Sequence, residues 1–311
     1  MRAALVLAVG LFGCETRSAP PGPVAPSSSA APVTASAAPA ASAPGNAFAA
    51  RPYGLHVPPI SGGSAPIPLV VFFHGYGATG AGMVRAIGLE AVADANGFAL
   101  AYPDGSVDSR GRRFWNATDA CCDFDRTGVD DVGYVRWLIE DIGRKVPVDP
   151  KRVYVFGHSN GGFFAQRLAC DLSSRLAGAV SMAGAAWKDP ARCSPSEPVS
   201  VLAIVGDKDP VIRAQGGTVF DLPVPPYPSA TETLALWMTK DRCTGTLGQS
   251  GARLDFDALL PGTETTMQDA SGCPPGISVS EWTVAGGSHV PSPSRAGVDA
   301  IWAWMAAHPK H

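Results

Sequence analysis

Ser159 stands in the run VYVFGHSNGGFF, Val153 to Phe164, with Gly157 and Gly161 two places to either side. Residues suited to a buried strand run straight into a G-x-S-x-G turn, and a helix-forming segment follows. A serine held on a sharp strand-to-helix turn is a candidate nucleophile toward an acyl carbon. The two glycines have a physical task. The serine backbone there is strained, and a side chain on either flank would meet the neighbouring strand or helix. The competing interpretation is a plain turn with a helix cap. The strand before and the helix after favour the nucleophile.

A hydroxyl alone attacks poorly. It needs a base, and the base needs an orienting carboxylate. After Ser159 the histidines are His289, His308 and His311. The last two lie at the end of the closing helix or beyond it. His289 sits in VAGGSHVPS, a Gly-rich turn directly after the last strand, where a base belongs. The acid should follow a strand between the two. VSVLAIVGDKDPVI offers Asp207 and Asp209; Asp209 is preferred as the acid, with Asp207 shaping the turn. A calcium loop does not fit this D-x-D, since Val211 and Thr218 stand where ligands should be. A developing oxyanion needs two N–H donors. One is expected from Asn160, directly after the serine. The other is expected from Tyr76 in FFHGYGATG, where Gly75 and Gly77 let the backbone approach. His74 precedes the serine in the chain and is read as a brace for that turn. Such chemistry needs no cofactor, and no metal is expected: the cysteines form no CxxC pairs and no histidine has zinc-site spacing to them.

The elements that must position these groups alternate. PLVVFFHG, FALAYPDG, RVYVFG, AGAVSMAG, VSVLAIVGD and ISVSEWTVAGG read as strands. Gly82 to Gly97, DDVGYVRWLIEDIGRKV, NGGFFAQRLACDL, ATETLALWMTKD and RAGVDAIWAWMAAH read as helices. Continuous apolar strands separated by helices indicate an α/β fold, a doubly wound and mostly parallel sheet with helices on both faces. With the serine turn, and with the order Ser, acid, His, this is the α/β-hydrolase arrangement. Residues 50–311 are expected to form one domain with no large lid.

The bulk numbers set bounds. The chain has 311 residues, 46% hydrophobic and 16% charged, with a formal net charge of −3. Near-balanced charge without a Lys/Arg run makes nucleic acid an unsuitable partner, and no apolar run is long enough to span a bilayer. Residues 1–14 are expected to be a signal peptide: Arg2 precedes AALVLAVGLFG, and Leu11 to Cys14, LFGC, resembles a bacterial lipobox with Cys14 as the acylated residue. Residues 15–49 are nearly all Ala, Pro and Ser, a composition that cannot offset its own ordering entropy and is expected to be a disordered tether. The expected location is extracellular or in the cell envelope. Membrane contact would come through the lipid anchor alone, and a monomer is expected.

Of the seven cysteines, those other than Cys14 suggest disulfides in an exported chain. Cys243 and Cys273 flank the segment between a helix and the last strand and are expected to pair. Cys170 and Cys193 flank the strand after the serine helix; each has Cys121 or Cys122 as a candidate partner, and the sequence leaves the connectivity within that set open. Asp123, Asp125, Asp130 and Asp131 are read as negative charge favoured near a helix N-terminus. Asn116 opens a glycosylation sequon that is expected to be idle.

HGYGATG, WNATDACCDFDRTGVDDVGYVRWLIEDI, the long run from Val153 to Ala185, VGDKDPVI and GGSHVPS together resemble one esterase family. It groups polyhydroxybutyrate depolymerase-like proteins with feruloyl and acetylxylan esterases of carbohydrate esterase family 1. The resemblance spans about Tyr53 to Met305 and supports Ser159, Asp209 and His289. It implies an exported serine esterase working through an acyl-enzyme, on an ester that is polymeric, such as polyhydroxybutyrate or a feruloylated or acetylated plant polysaccharide. A peptidase or acyltransferase on the same fold, or a binding protein that kept the fold without catalysis, are the alternatives. One departure stands out. Members often carry Gly-His-Thr-Trp-Pro around the base, whereas this chain has Ser288-His289-Val290-Pro291 and lacks the tryptophan.

Overall fold

Every residue of Ile67–Phe73, IPLVVFF, is buried, as expected of a strand covered on both faces. The computed structural model describes residues 48–59 and 65–310. The expected signal segment with Cys14, and nearly all of the expected tether, lie outside the described residues. The elements in order are β1 (Tyr53–His56), β2 (Ile67–Phe73), α1 (Gly80–Ile87), α2 (Leu89–Asn96), β3 (Ala99–Pro103), the short β4 (Ser106–Val107) and β5 (Arg113–Phe114), then α3 (Asp131–Lys145), β6 (Val148–His158), α4 (Asn160–Asp171), β7 (Gly178–Met182), β8 (Ser200–Gly206), α5 (Ala230–Lys240), β9 (Leu247–Leu254), β10 (Thr265–Ala270), β11 (Val279–Val284) and α6 (Arg295–Ala307).

Among the described residues a nine-stranded sheet runs β1-β3-β2-β6-β7-β8-β11-β10-β9. The pairs from β3 to β11 are parallel; β1, β10 and β9 pair antiparallel at the edges. Side chains of β2 alternate between two cores. Leu69, Val71 and Phe73 meet α3, α4 and α5 through Leu138, Phe164 and Trp237. Val70 and Phe72 join the opposite core with Val84 of α1, Val92 of α2 and Ile301 of α6. Each such side chain contributes roughly 1.5–3 kcal/mol through burial. The doubly wound expectation holds. The chain leaves β2 for β3 on one side and then crosses to β6 on the other, so the order reverses between β2 and β6. A crevice at the carboxyl ends of strands at such a reversal is the usual ligand position.

Three local readings change. Gly82 to Gly97 is two helices, because Gly88 adopts φ 67° and its N–H turns back to Arg85 and Val84. The β9–β10 extension has little apolar alternation to betray it; all of Gly248 to Arg253 is exposed. The cysteine partners also differ from those considered. Cys170 and Cys193 bond to each other, with Cα atoms 5.1 Å apart, and Cys121 bonds to its neighbour Cys122. The end of α4 and the segment leading to β8 meet across β7, within the normal reach of a disulfide, and neither cysteine is left for Cys121 or Cys122. Cys243 pairs with Cys273 as expected.

Asp241, which ends α5, is fully buried. One carboxyl oxygen accepts the Val199 N–H at 3.0 Å; the other has no partner among the described residues. Burial pushes its pKa from 3.8 up to about 7. A folded-state pKa raised in this way favours the folded state fully below the unfolded value, and that contribution is lost as pH rises through about 7. The difference amounts to roughly 4 kcal/mol. Asp241→Asn keeps the acceptor for Val199. It should therefore gain stability relative to wild type as pH is raised from about 4 to 8, in denaturant titrations of both proteins. Parallel stability curves would show that Asp241 does not titrate in this window.

Candidate active site

The serine turn forms because β6 and α4 approach too closely for side chains. A Cβ on Gly157 would overlap the Gly161 carbonyl, and one on Gly161 would overlap the Phe73 carbonyl. Ser159 takes up the bend at φ 54°, ψ −120°, a conformation that costs a non-glycine residue about 1–3 kcal/mol. Its N–H donates to the Met182 carbonyl at 2.8 Å, which ties the turn to the end of β7.

Loops after β8 and β11 bring two more groups to this point. His289 Nε2 lies 2.9 Å from Ser159 Oγ, and His289 Nδ1 lies 2.8 Å from Asp209 Oδ2. An ionised carboxylate only accepts. Nδ1 therefore carries the proton, and Nε2 is free to accept from the serine hydroxyl. The Asp209 side chain is 1% exposed, and its other oxygen accepts the N–H groups of Val211 and Ile212 at 2.7 and 2.8 Å. Those bonds fix the carboxylate before the histidine arrives. Asp207 plays the different part expected of it: its Oδ1 accepts the Gly286 N–H at 2.6 Å, which shapes the turn leading to His289.

Tyr76 follows β2 and Asn160 opens α4, directly after the serine. Gly75 is close enough that a Cβ there would lie 3.3 Å from Ser159 Cβ. Among the described residues the Tyr76 N–H meets no backbone acceptor, and the first N–H groups of a helix have none within it. His74 braces the turn. It accepts the Gly105 N–H at Nε2, 2.9 Å, and donates from Nδ1 to the Gly75 carbonyl, 2.8 Å. Burial lowers its pKa, which suits a neutral brace.

Two contributors escaped the sequence reading. His158 donates from Nε2 to the backbone carbonyl of His289 at 2.7 Å, pinning the loop that carries it. Burial pushes the His158 pKa down to about 4, so the ring is neutral near pH 7. The side chain of Asn160 accepts from the Trp115 N–H and donates to the Trp115 carbonyl, at 2.7 and 2.9 Å. Trp115 in turn donates from its indole to the His74 carbonyl. The position of His158 beside the serine was the available signal. Nothing in the sequence joins Asn160 to Trp115.

The acidic group resolves into structural parts. Asp130 caps α3 through the Gly133 N–H. Asp131 pairs with Arg51 at 2.6 Å and accepts the Asn116 N–H. Asp123 closes a turn through Thr127 and Gly128, and Asp125 holds Ser109.

Residues 51–215 match the model of the family described as esterase PHB depolymerase. The protein NocK of Nocardia uniformis subsp. tsuyamanensis is 33% identical over 252 residues, which cover 77% of this chain and 70% of NocK. Feruloyl esterase B of Piromyces equi is 29% identical over 212 residues, 66% of this chain and 36% of that protein. Poly(3-hydroxyalkanoate) depolymerase C of Paucimonas lemoignei is 31% identical over 133 residues, 43% of this chain and 31% of that protein. The chain thus spans about a third of the length of the latter two. Among solved structures, an acetyl xylan esterase from Aspergillus awamori superposes with TM-score 0.56 at 15% identity, covering 82% of this chain and 93% of the other. A Bacillus cereus carboxylesterase superposes with TM-score 0.51 at 12% identity, covering 85% and 99%. At such identities the superpositions establish the α/β-hydrolase fold.

The contrast between the two aspartates yields a prediction. Asp209→Asn turns an NH2 or a neutral oxygen toward His289 and favours the wrong imidazole tautomer, so kcat for ester hydrolysis should fall roughly a thousandfold or more. Asp207→Asn keeps an acceptor for Gly286 and should cost about tenfold or less. Steady-state kinetics on a 4-nitrophenyl ester would check this, and the reverse ranking would move the acid to Asp207.

Proposed function

Because this chain belongs to the esterase PHB depolymerase family, we propose that it is a carboxylic ester hydrolase using Ser159, His289 and Asp209. The carrying observation is the pair of contacts at His289, 2.9 Å to Ser159 Oγ and 2.8 Å to Asp209 Oδ2. His289 Nε2 removes the hydroxyl proton as Ser159 Oγ attacks the ester carbonyl. The tetrahedral oxyanion is met by the N–H groups of Tyr76 and Asn160. Collapse expels the alcohol, which takes the proton from His289, and leaves Ser159 acylated. Water then attacks the acyl carbon, giving up a proton to His289; collapse releases the acid as Ser159 Oγ takes that proton back from His289. Atoms and protons balance with no cofactor.

The family and its named relatives support an ester borne on a polymer as the substrate, a polyhydroxyalkanoate or an acylated plant polysaccharide. Three disulfides favour an oxidising, extracytoplasmic location. Lipid attachment at Cys14 would hold the enzyme at the cell envelope, with the Ala/Pro/Ser segment as its tether.

Ser159→Ala should fold normally by circular dichroism and lose at least about four orders of magnitude in kcat, since the three groups act as a unit. Wild type should also be phosphonylated at Ser159 by a fluorophosphonate, with loss of fluoride, and the variant should not, as read by intact mass. Near-wild-type turnover in the folded variant would defeat the assignment.

A further inference from the structure

Three aromatic side chains from distant parts of the chain meet beside the oxyanion turn. The Tyr76 ring lies edge-on to Phe124 with centroids 5.3 Å apart, and its centroid is 6.3 Å from that of Phe220. Phe124 and Phe220 are 6.5 Å apart. Tyr76 is held firmly. Its hydroxyl donates to Asp108 at 2.5 Å, and Asp108 accepts the N–H groups of Arg110 and Arg112 at 2.9 and 2.8 Å. The Arg112 guanidinium stands 5.6 Å from the Tyr76 ring centroid. The ring is thereby locked on the residue whose N–H is the proposed oxyanion donor.

Phe220 completes the set at a conformational cost. It is 50% exposed, and both it and Asp221 are left-handed, at φ 54° and 51°. Consecutive non-glycine residues in that region are uncommon. The turn is held by Arg213, which donates to Asp221 at 2.9 Å, and by the Leu222 N–H, which donates to the Val219 carbonyl at 3.1 Å. A half-exposed phenylalanine on a strained turn does little for the core. A cavity of about 940 Å³ has Phe124 and Leu222 to Pro225 in its wall. Phe124 thus joins the aromatic set to this cavity, and Tyr76 joins it to the turn whose Gly75 packs against Ser159.

We propose that Tyr76, Phe124 and Phe220 form a subsite for a planar aromatic ring of the ester, and that Phe220 is the specificity-determining residue. This rests on Ser159 being the nucleophile. Edge-on and tilted rings leave both a face and edges for a fourth ring, and aromatic pairs gain from that geometry beyond the area they bury. An aliphatic group of equal size gains only the area. The ring could arrive on the acyl side or on the alcohol side, since both leave the same carbonyl.

The test measures binding apart from turnover. Calorimetric titration of Ser159→Ala would use two matched pairs: ethyl benzoate with ethyl cyclohexanecarboxylate, and benzyl acetate with cyclohexylmethyl acetate. The planar member of at least one pair should bind about tenfold tighter, and the pair that shows it tells which side carries the ring. In Ser159→Ala/Phe220→Ala the preference should collapse, and in Ser159→Ala/Phe220→Tyr it should persist, all three folded by circular dichroism. Equal binding of planar and saturated members in both pairs, or a preference that survives Phe220→Ala, would overturn the subsite. Hydrolysis that survives Ser159→Ala would instead strike the nucleophile assignment, a separate readout.

Discussion

The bend at Ser159 is the constraint on which the rest of the structure depends. A serine at φ 54° is an unfavourable backbone state, and it persists only if its surroundings over-determine it. They do so from three sides. Gly157 and Gly161 let β6 and α4 close on one another, the Met182 carbonyl takes the serine N–H, and the Phe163 N–H donates to the Ser159 carbonyl as α4 begins. The same closeness sets Gly75 against the serine. The proposed nucleophile and the proposed oxyanion turn are thus brought together by one packing contact between the ends of β2 and β6.

His289 is positioned by a second, separate set of bonds. His158 holds the carbonyl of His289, Asp209 holds its ring, and Asp207 holds Gly286 in the turn before it. The charge state of His158 matters here. Its ring centroid is 5.3 Å from that of His289. Two positive charges at that spacing would repel by about 3 kcal/mol at an effective dielectric of 20. Burial keeps His158 neutral near pH 7, so in the proposed mechanism an imidazolium at His289 would meet no neighbouring cation there. The residue beside Ser159 thus serves as a fixed hydrogen-bond donor because its surroundings withhold its charge.

Stability outside the site is handled differently. Cys170–Cys193 joins the far end of α4 to the segment before β8, and Cys243–Cys273 ties the end of α5 to the loop entering β11. Closing loops of this length contributes about 3 kcal/mol each in the chain-entropy description. The second bridge lies beside the polar β9–β10 extension, where little apolar burial is available to hold the chain.

The residues of the candidate site were legible because each obeys a local rule. Ser159 announces itself through glycines at fixed spacing, His289 through a Gly-rich turn after the last strand, and Asp209 through its place after β8. The central strands were legible because a strand buried on both faces must be apolar throughout. The edges were not, because β1, β9 and β10 carry mixed sequences that pair by backbone hydrogen bonds, which leave no side-chain pattern. Cysteine pairing, the hold of His158 on His289, the clasp between Asn160 and Trp115, and the meeting of Tyr76, Phe124 and Phe220 all join residues far apart in the chain or compete with other pairings. Only the close packing of strands and helices selects among such partners, since each contact is decided by distance in three dimensions.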